Sequence, residues 1–153
     1  MEEDIAHFIK LNTWIFRNNQ IYLDKVLKKY ELSNGSFPYL LNLNKKEGVS
    51  QNQIAYELGH DKAMSARTIA KLIELNYIYK KADESDSRAY KLYLTDKAKK
   101  IIPDIKTETS KLISLITEGL SEEEKDITMN SLRKIFNNIS NLRGNREKNE
   151  FRK

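Results

Sequence analysis

The sequence contains no cysteine. That excludes a disulfide framework, a thiolate zinc site and cysteine-based redox sensing. Proline occurs twice and glycine five times among 153 residues, too sparse for a Gly-rich phosphate loop or a Pro-rich linker. The two histidines, His7 and His60, stand far apart, and nothing in their spacing to carboxylates calls for a metal site or a general acid–base pair. The run Glu122-Glu123-Glu124 suits the first turn of a helix, where the dipole favours acids. No apolar run approaches the roughly 18 residues a membrane span needs. The N-terminal MEEDIAHFIK is acidic where an export signal is basic and then apolar. These absences predict a cytoplasmic protein that is not an enzyme, with no cofactor, no metal and no membrane partner.

What the chain does have is charge. Charged residues make up 32% and apolar residues 39%, the balance of a helix-rich globular protein of one domain, 1–153. The net charge of +5 is unevenly spread: residues 59–100 hold ten Lys and Arg against six Asp and Glu, and residues 141–153 hold five against two. A basic face attracts the phosphate backbone of nucleic acid.

Apolar residues recur at helical spacing from Ile5 through Phe8, Ile9, Ile15 and Val26, and no Pro or Gly interrupts residues 4–32. One long helix is predicted there, broken by Asn34-Gly35. Ser36 is placed to cap a second helix carrying Pro38 in its first turn. Ser50 and Gln53 form a capping box that opens a third helix, closed by Gly59. Asp61 caps a fourth, which ends near Asn76. Two β-prone segments follow, 77–81 and 90–94, joined by ADESDSR. Thr95 opens another helix, in which Pro103 is expected to cause a kink or a split. Ser121 and Glu124 form a second capping box for a last helix to Gly144. Residues 145–153 read as a frayed basic tail.

Helix, short turn, helix and hairpin, from Ser50 to Ala98, is the order of a winged helix-turn-helix. The fold class expected is therefore mainly α with a small β-hairpin wing. In such a module the first helix braces the second, whose N-terminal half enters the major groove of double-stranded DNA. Ser65, Ile69, Leu72 and Ile73 fall on one face of the fourth helix, whereas Lys62, Ala63, Ala66, Arg67, Ala70 and Lys71 fall on the other. Arg67 suits a bidentate contact to guanine, and Ala63 or Met64 contact with a thymine methyl. The hairpin carries Lys80, Lys81, Arg88 and Lys91, and an Arg at its turn suits a narrow minor groove. The same residues would also serve as a solvated helix face, with Arg88 paired to Asp86 or Glu84. A winged helix that binds protein instead of DNA would show an apolar patch in their place.

The segment LGHDKAMSARTIAKLIELNYI, the wing Asp86-Ser87-Arg88-Ala89 and the pair Leu94-Thr95 resemble the MarR family of bacterial and archaeal transcription regulators. The long helix before the module and two after it fit the same layout, so the likeness spans nearly the whole chain. The resemblance implies a DNA-binding lobe at 36–98 and dimerisation helices at 1–33 and 101–144. It makes Arg88 the minor-groove arginine and lines the recognition helix with Lys62, Ala63, Met64, Ala66 and Arg67. Two departures stand out: Ala98 replaces the usual Gly after Leu-Thr, and Ala63 and Met64 replace the polar residues common at the start of the recognition helix. The second departure means base preference cannot be borrowed from a relative.

Apolar stripes at both ends, Ile5, Phe8, Ile9 and Ile15 in front and Ile135, Phe136, Ile139 and Leu142 behind, independently suggest a homodimer with a two-fold interface. The resemblance further implies a repressor relieved by a small aromatic effector, in a pocket assigned to Trp14, Arg17, Tyr30, Phe37 and Tyr39. Each of those aromatics would equally suit ordinary core.

Overall fold

A computed structural model describes residues 2–84, 86 and 89–150, with the backbone alone for residues 2 and 142–150. The described elements run α1 (Glu2–Leu27), a 3-10 turn (Lys28–Tyr30), α2 (Phe37–Lys45), β1 (Val49–Ser50), α3 (Gln51–Leu58), α4 (Lys62–Glu74), β2 (Ile78–Ala82), β3 (Tyr90–Leu94), α5 (Asp96–Ile116) and α6 (Glu122–Glu150). The fold is mostly helical with a small antiparallel sheet, as in winged-helix structures. Two compact units divide it, residues 1–112 and 113–153.

Every member of the hydrophobic core lies in the first unit, from Leu23 to Leu112. Leu27, Leu40, Leu43, Ile54, Ile69, Leu72, Ile78, Leu92 and Ile105 are its most deeply buried aliphatic side chains. Each such residue removed from water contributes about 1.5–3 kcal/mol. The sheet lies in the order β1-β3-β2, with Ile78 opposite Leu94 and Val49 opposite Leu92. Period-2 alternation turns Leu92 and Leu94 inward and stacks Tyr79 on Tyr93 at 5.5 Å on the other face.

Several local expectations meet the structure directly. Ser50 Oγ accepts the Gln53 N–H at 3.1 Å, and Gly59 closes α3 with φ 69°. Asp61 caps α4 through the Met64 N–H at 2.8 Å. Thr95 Oγ1 accepts the Ala98 N–H at the start of α5. The Ser121–Glu124 capping box is complete, with both reciprocal bonds present.

Other expectations are corrected. The first helix ends at Leu27 and not near residue 32, because Glu31 adopts a left-handed φ of 57° and the Leu32 N–H returns to the Leu27 carbonyl. That reversal drops Leu32 into the core, and Asp24 holds the Asn34 N–H at 2.6 Å. Ser36 does not cap α2 with its side chain; its hydroxyl is spent on Ser33, accepting the N–H and donating to the carbonyl. The Ser50–Gln53 box is half formed, since the Gln53 amide turns to Glu57 at 3.2 Å. The wing has a third strand, β1, that a two-stranded hairpin reading omits.

Pro103 does not split α5, which is continuous from Asp96 to Ile116. Pro103 and Lys99 both lie on the exposed side, where water can take the carbonyl that the missing N–H leaves free. The last helix continues through Gly144 to Glu150, so the backbone of residues 145–150 is helical where a frayed tail was expected.

Candidate nucleic-acid interface

The recognition element is assembled by short-range bonds at both ends of one turn. Ser50 fixes the start of α3, Gly59 ends it, and the His60 N–H returns to the Ala55 carbonyl at 3.0 Å. Asp61 then starts α4 at once. Ile54 and Ala55 of α3 and Ser65, Ile69 and Leu72 of α4 are buried, so the two helices brace one another through the stripes their spacing predicts. A polar cluster sits beneath this turn. The Tyr39 hydroxyl of α2 lies 2.8 Å from His60 Nδ1, and the Thr68 hydroxyl of α4 donates to the Met64 carbonyl at 3.0 Å. Burial pushes the Tyr39 phenol above its usual pKa of 10.0.

The outward face of α4 carries Lys62, Ala63, Arg67, Ala70 and Lys71, all exposed, with Met64 and Ala66 half-buried. Lys71 reaches Glu74 at 3.1 Å, both ends well exposed, a pair worth little and readily exchanged for another anion. Among the described residues, α4 exposes no large apolar side chain. On the wing, Lys80 and Lys81 are exposed, and Lys91 pairs with Asp83 at 3.3 Å. That pair partly neutralises Lys91 as a phosphate contact. Arg88 lies outside the described residues. Tyr56, 80% exposed on α3, was not singled out by the sequence; its position outside the stripe of buried Ile54 and Ala55 and half-buried Leu58 was the signal that it points outward.

The residues assigned to an effector pocket are not gathered in one place. Tyr39 is wholly buried in the core, while Tyr30 and Phe37 are half-buried against it. Trp14 is 63% exposed with the Lys10 ammonium 5.9 Å from its ring, and Arg17 is exposed one turn further along α1. Tyr30 donates its hydroxyl to Asp104 of α5. Among the described residues, no group of three or more His, Cys, Asp or Glu is arranged to hold a metal ion, and no helix is long and apolar enough to cross a membrane.

A family model described as MarR family matches residues 30–89. The HTH-type transcriptional regulator BilQ of Clostridioides difficile (strain CD3) is 38% identical over 115 residues, 74% of this chain and 78% of that protein. A crystal structure of a MarR transcriptional regulator from Methanosarcina mazei Go1 is similar with a TM-score of 0.81 at 32% identity, covering 90% of this chain and 99% of that one. The fold is also shared with S. aureus MepR in a complex with DNA, TM-score 0.80 at 22% identity, covering 86% of this chain and 97% of that one. The chain belongs to the MarR family of transcriptional regulators. Proteins of this family are not enzymes.

Proposed function

We propose that this regulator is a homodimeric, sequence-specific reader of double-stranded DNA that acts as a repressor on a pseudo-palindromic operator. The observation that carries this reading is the exposed face of α4, where Lys62, Arg67 and Lys71 surround the small side chains of Ala63 and Ala70. Small residues allow close approach to base edges, and the cations supply phosphate and guanine contacts. Lys62, Ala63, Met64, Ala66, Arg67 and Lys71 form the major-groove surface, Arg88 serves the minor groove, and Lys91 adds a further DNA contact on the wing. The DNA-binding lobe is 36–98. The MepR–DNA complex of the same fold supports DNA as the partner. The protein-adaptor alternative loses ground because α4 offers basic and small residues where an adaptor needs an apolar patch.

The homodimer is supported by apolar side chains that stay in water within one chain. On α1 these include Ile5, Phe8, Ile9, Trp14, Ile15 and Phe16; on α6 they include Ile127, Leu132, Ile135, Phe136 and Ile139. So much exposed apolar surface on a protein with a complete core of its own marks an association surface. Segments 1–33 and 101–144 are its source. A two-fold dimer presents recognition helices about 34–36 Å apart, one turn of DNA. A small aromatic acid is the proposed effector: Arg17 would pair with its carboxylate and Trp14, one turn away on α1, would cover its ring.

Selection of bound duplexes from a random library at about 0.15 M salt tests the function, because non-specific phosphate binding is weakened there. Recovery of an inverted repeat with half-sites one turn apart is the expected result. Recovery of no sequence by the purified dimer would overturn it in favour of a protein partner.

A further inference from the structure

The C-terminal end of α4 is held from outside the helix-turn-helix. Leu75 ends the helix, Asn76 turns the chain with a φ of 59°, and the Asn76 and Tyr77 N–H groups close the carbonyls of Ile73 and Leu72 at 2.9 and 2.8 Å. The Leu75 carbonyl, which has no partner within the helix, receives Lys97 Nζ of α5 at 2.7 Å. An ammonium at that end also complements the helix dipole. The same ammonium sits 4.4 Å from the centre of the Tyr77 ring.

Tyr77 is 3% exposed, and each of its polar groups serves a different element. Its N–H serves α4, its carbonyl accepts the Thr95 N–H at 3.0 Å just ahead of α5, and its hydroxyl donates to the Tyr30 carbonyl at 3.0 Å, where α1 gives way to the loop before α2. Tyr30 in turn donates to Asp104 of α5. The end of α1, the end of α4 and the first half of α5 are thus tied through one residue, with the link to α1 made by its side chain. Burial of Ile69 and Leu72 is non-directional, whereas these hydrogen bonds have preferred distances and angles.

We propose that Tyr77 and Lys97 are positioning residues for DNA recognition, which lock the far end of α4 to α1 and α5 and so set the angle at which its N-terminal half meets the groove. The proposal rests on the DNA-binding reading above. Its reach follows from leverage: α4 has 13 residues, about 20 Å of helix. A tilt of about 5° about its C-terminal end displaces the first turn by about 1.7 Å, more than a hydrogen bond to a base edge tolerates.

The test compares Tyr77→Phe, which removes only the hydroxyl, with Lys97→Met, which keeps the stem over the ring, and Lys97→Arg, which keeps a cationic donor. Affinity is read by anisotropy on the selected operator and on an unrelated duplex of equal length, over a range of salt, with an unfolding midpoint for each protein. Tyr77→Phe and Lys97→Met are each expected to lose about tenfold on the operator, the scale of one lost hydrogen bond, while the unrelated duplex and the salt slope stay unchanged. Lys97→Arg restores the operator affinity. Equal losses on both duplexes with a slope smaller by about 0.9 would make Lys97 a phosphate contact and overturn its assignment. Unchanged operator affinity in folded Tyr77→Phe would overturn the whole proposal. Should the wild-type chain select no duplex, it is the functional reading that falls. Amide exchange at residues 72–77 then decides the lock itself: faster exchange in both variants sustains it, and unchanged protection removes it.

Discussion

The Tyr39 hydroxyl and His60 Nδ1, 2.8 Å apart, join α2 to the turn between the two helices of the DNA-reading motif. The phenol is wholly buried and the imidazole half-exposed, so the bond runs from the core to the surface at the point where the motif bends. Tyr39→Phe should therefore cost about 1 kcal/mol, since water can reach the imidazole left behind. Tyr39→Ala should cost about 3–5 kcal/mol, because it opens a cavity under both helices. Urea unfolding of the three proteins checks the pair, and equal costs for Phe and Ala would mean that the hydroxyl, not the ring, holds the site.

Three tyrosines tie the same unit together, and all three are held above the usual 10.0. Hydrogen bonding to Asp104 raises Tyr30, and burial raises Tyr39 and Tyr77. Unfolded tyrosines lose their protons near 10.0 while the folded ones keep them, so the native state binds more protons in that window. Stability should be intact below pH 10 and fall as pH rises through and beyond it. Denaturant midpoints at pH 8, 10 and 11 test this, and the decline should be shallower in Tyr77→Phe. A midpoint that rises with pH across this range would contradict the assignment of all three.

Much of this architecture was legible because its signals are local. Caps at Ser50, Asp61, Thr95 and Ser121 bond to a backbone group three residues away, so their spacing in the sequence is their geometry. The inward stripe of Ile69 and Leu72 and the outward Lys62, Arg67 and Lys71 follow likewise from a period of 3.6. The misses depend on distant partners. The early end of α1 is set by Leu32 reaching the core and by Asp24 bonding Asn34, with no Gly or Pro to announce it. Strand β1 exists because Val49 finds Leu92, more than forty residues on. The roles of Tyr77 and Lys97 arise from contacts with Tyr30 and Leu75 that no window of sequence contains.

Arg67 is exposed near the middle of the outward face of α4, between Ala63 and Ala70. If it reads guanine, Arg67→Ala should lose about 1–3 kcal/mol of operator affinity and relax preference at one base pair per half-site. Repeating the selection with the variant shows which position loses its constraint. A loss spread evenly over all sequences would make Arg67 a phosphate contact.

Arg88→Ala should weaken operator binding while leaving the unfolding midpoint within about 0.5 kcal/mol of wild type, as for a surface substitution away from the core. The expectation rests on the Asp86-Ser87-Arg88 sequence and its likeness to the family wing. Binding and unfolding measured on the same preparation separate the two effects, and unchanged affinity would remove Arg88 from the DNA surface.

Ile9 on α1 and Phe136 on α6 are 60% and 62% exposed within a single chain. Neither contributes to the core of residues 23–112, so an acidic side chain at either place leaves the monomer's packing intact. In a dimer built on these stripes the same change buries an unpaired charge, at a cost of several kcal/mol per ion. Ile9→Asp and Phe136→Asp should each shift the protein from dimer to monomer in sedimentation at micromolar concentration, with helical content preserved. Operator binding should fall with the dimer, because a monomer holds one half-site and loses the gain of joining two. A variant that stays dimeric would remove its helix from the interface, and a monomer that binds the full operator as wild type does would overturn the two-fold reading of the site.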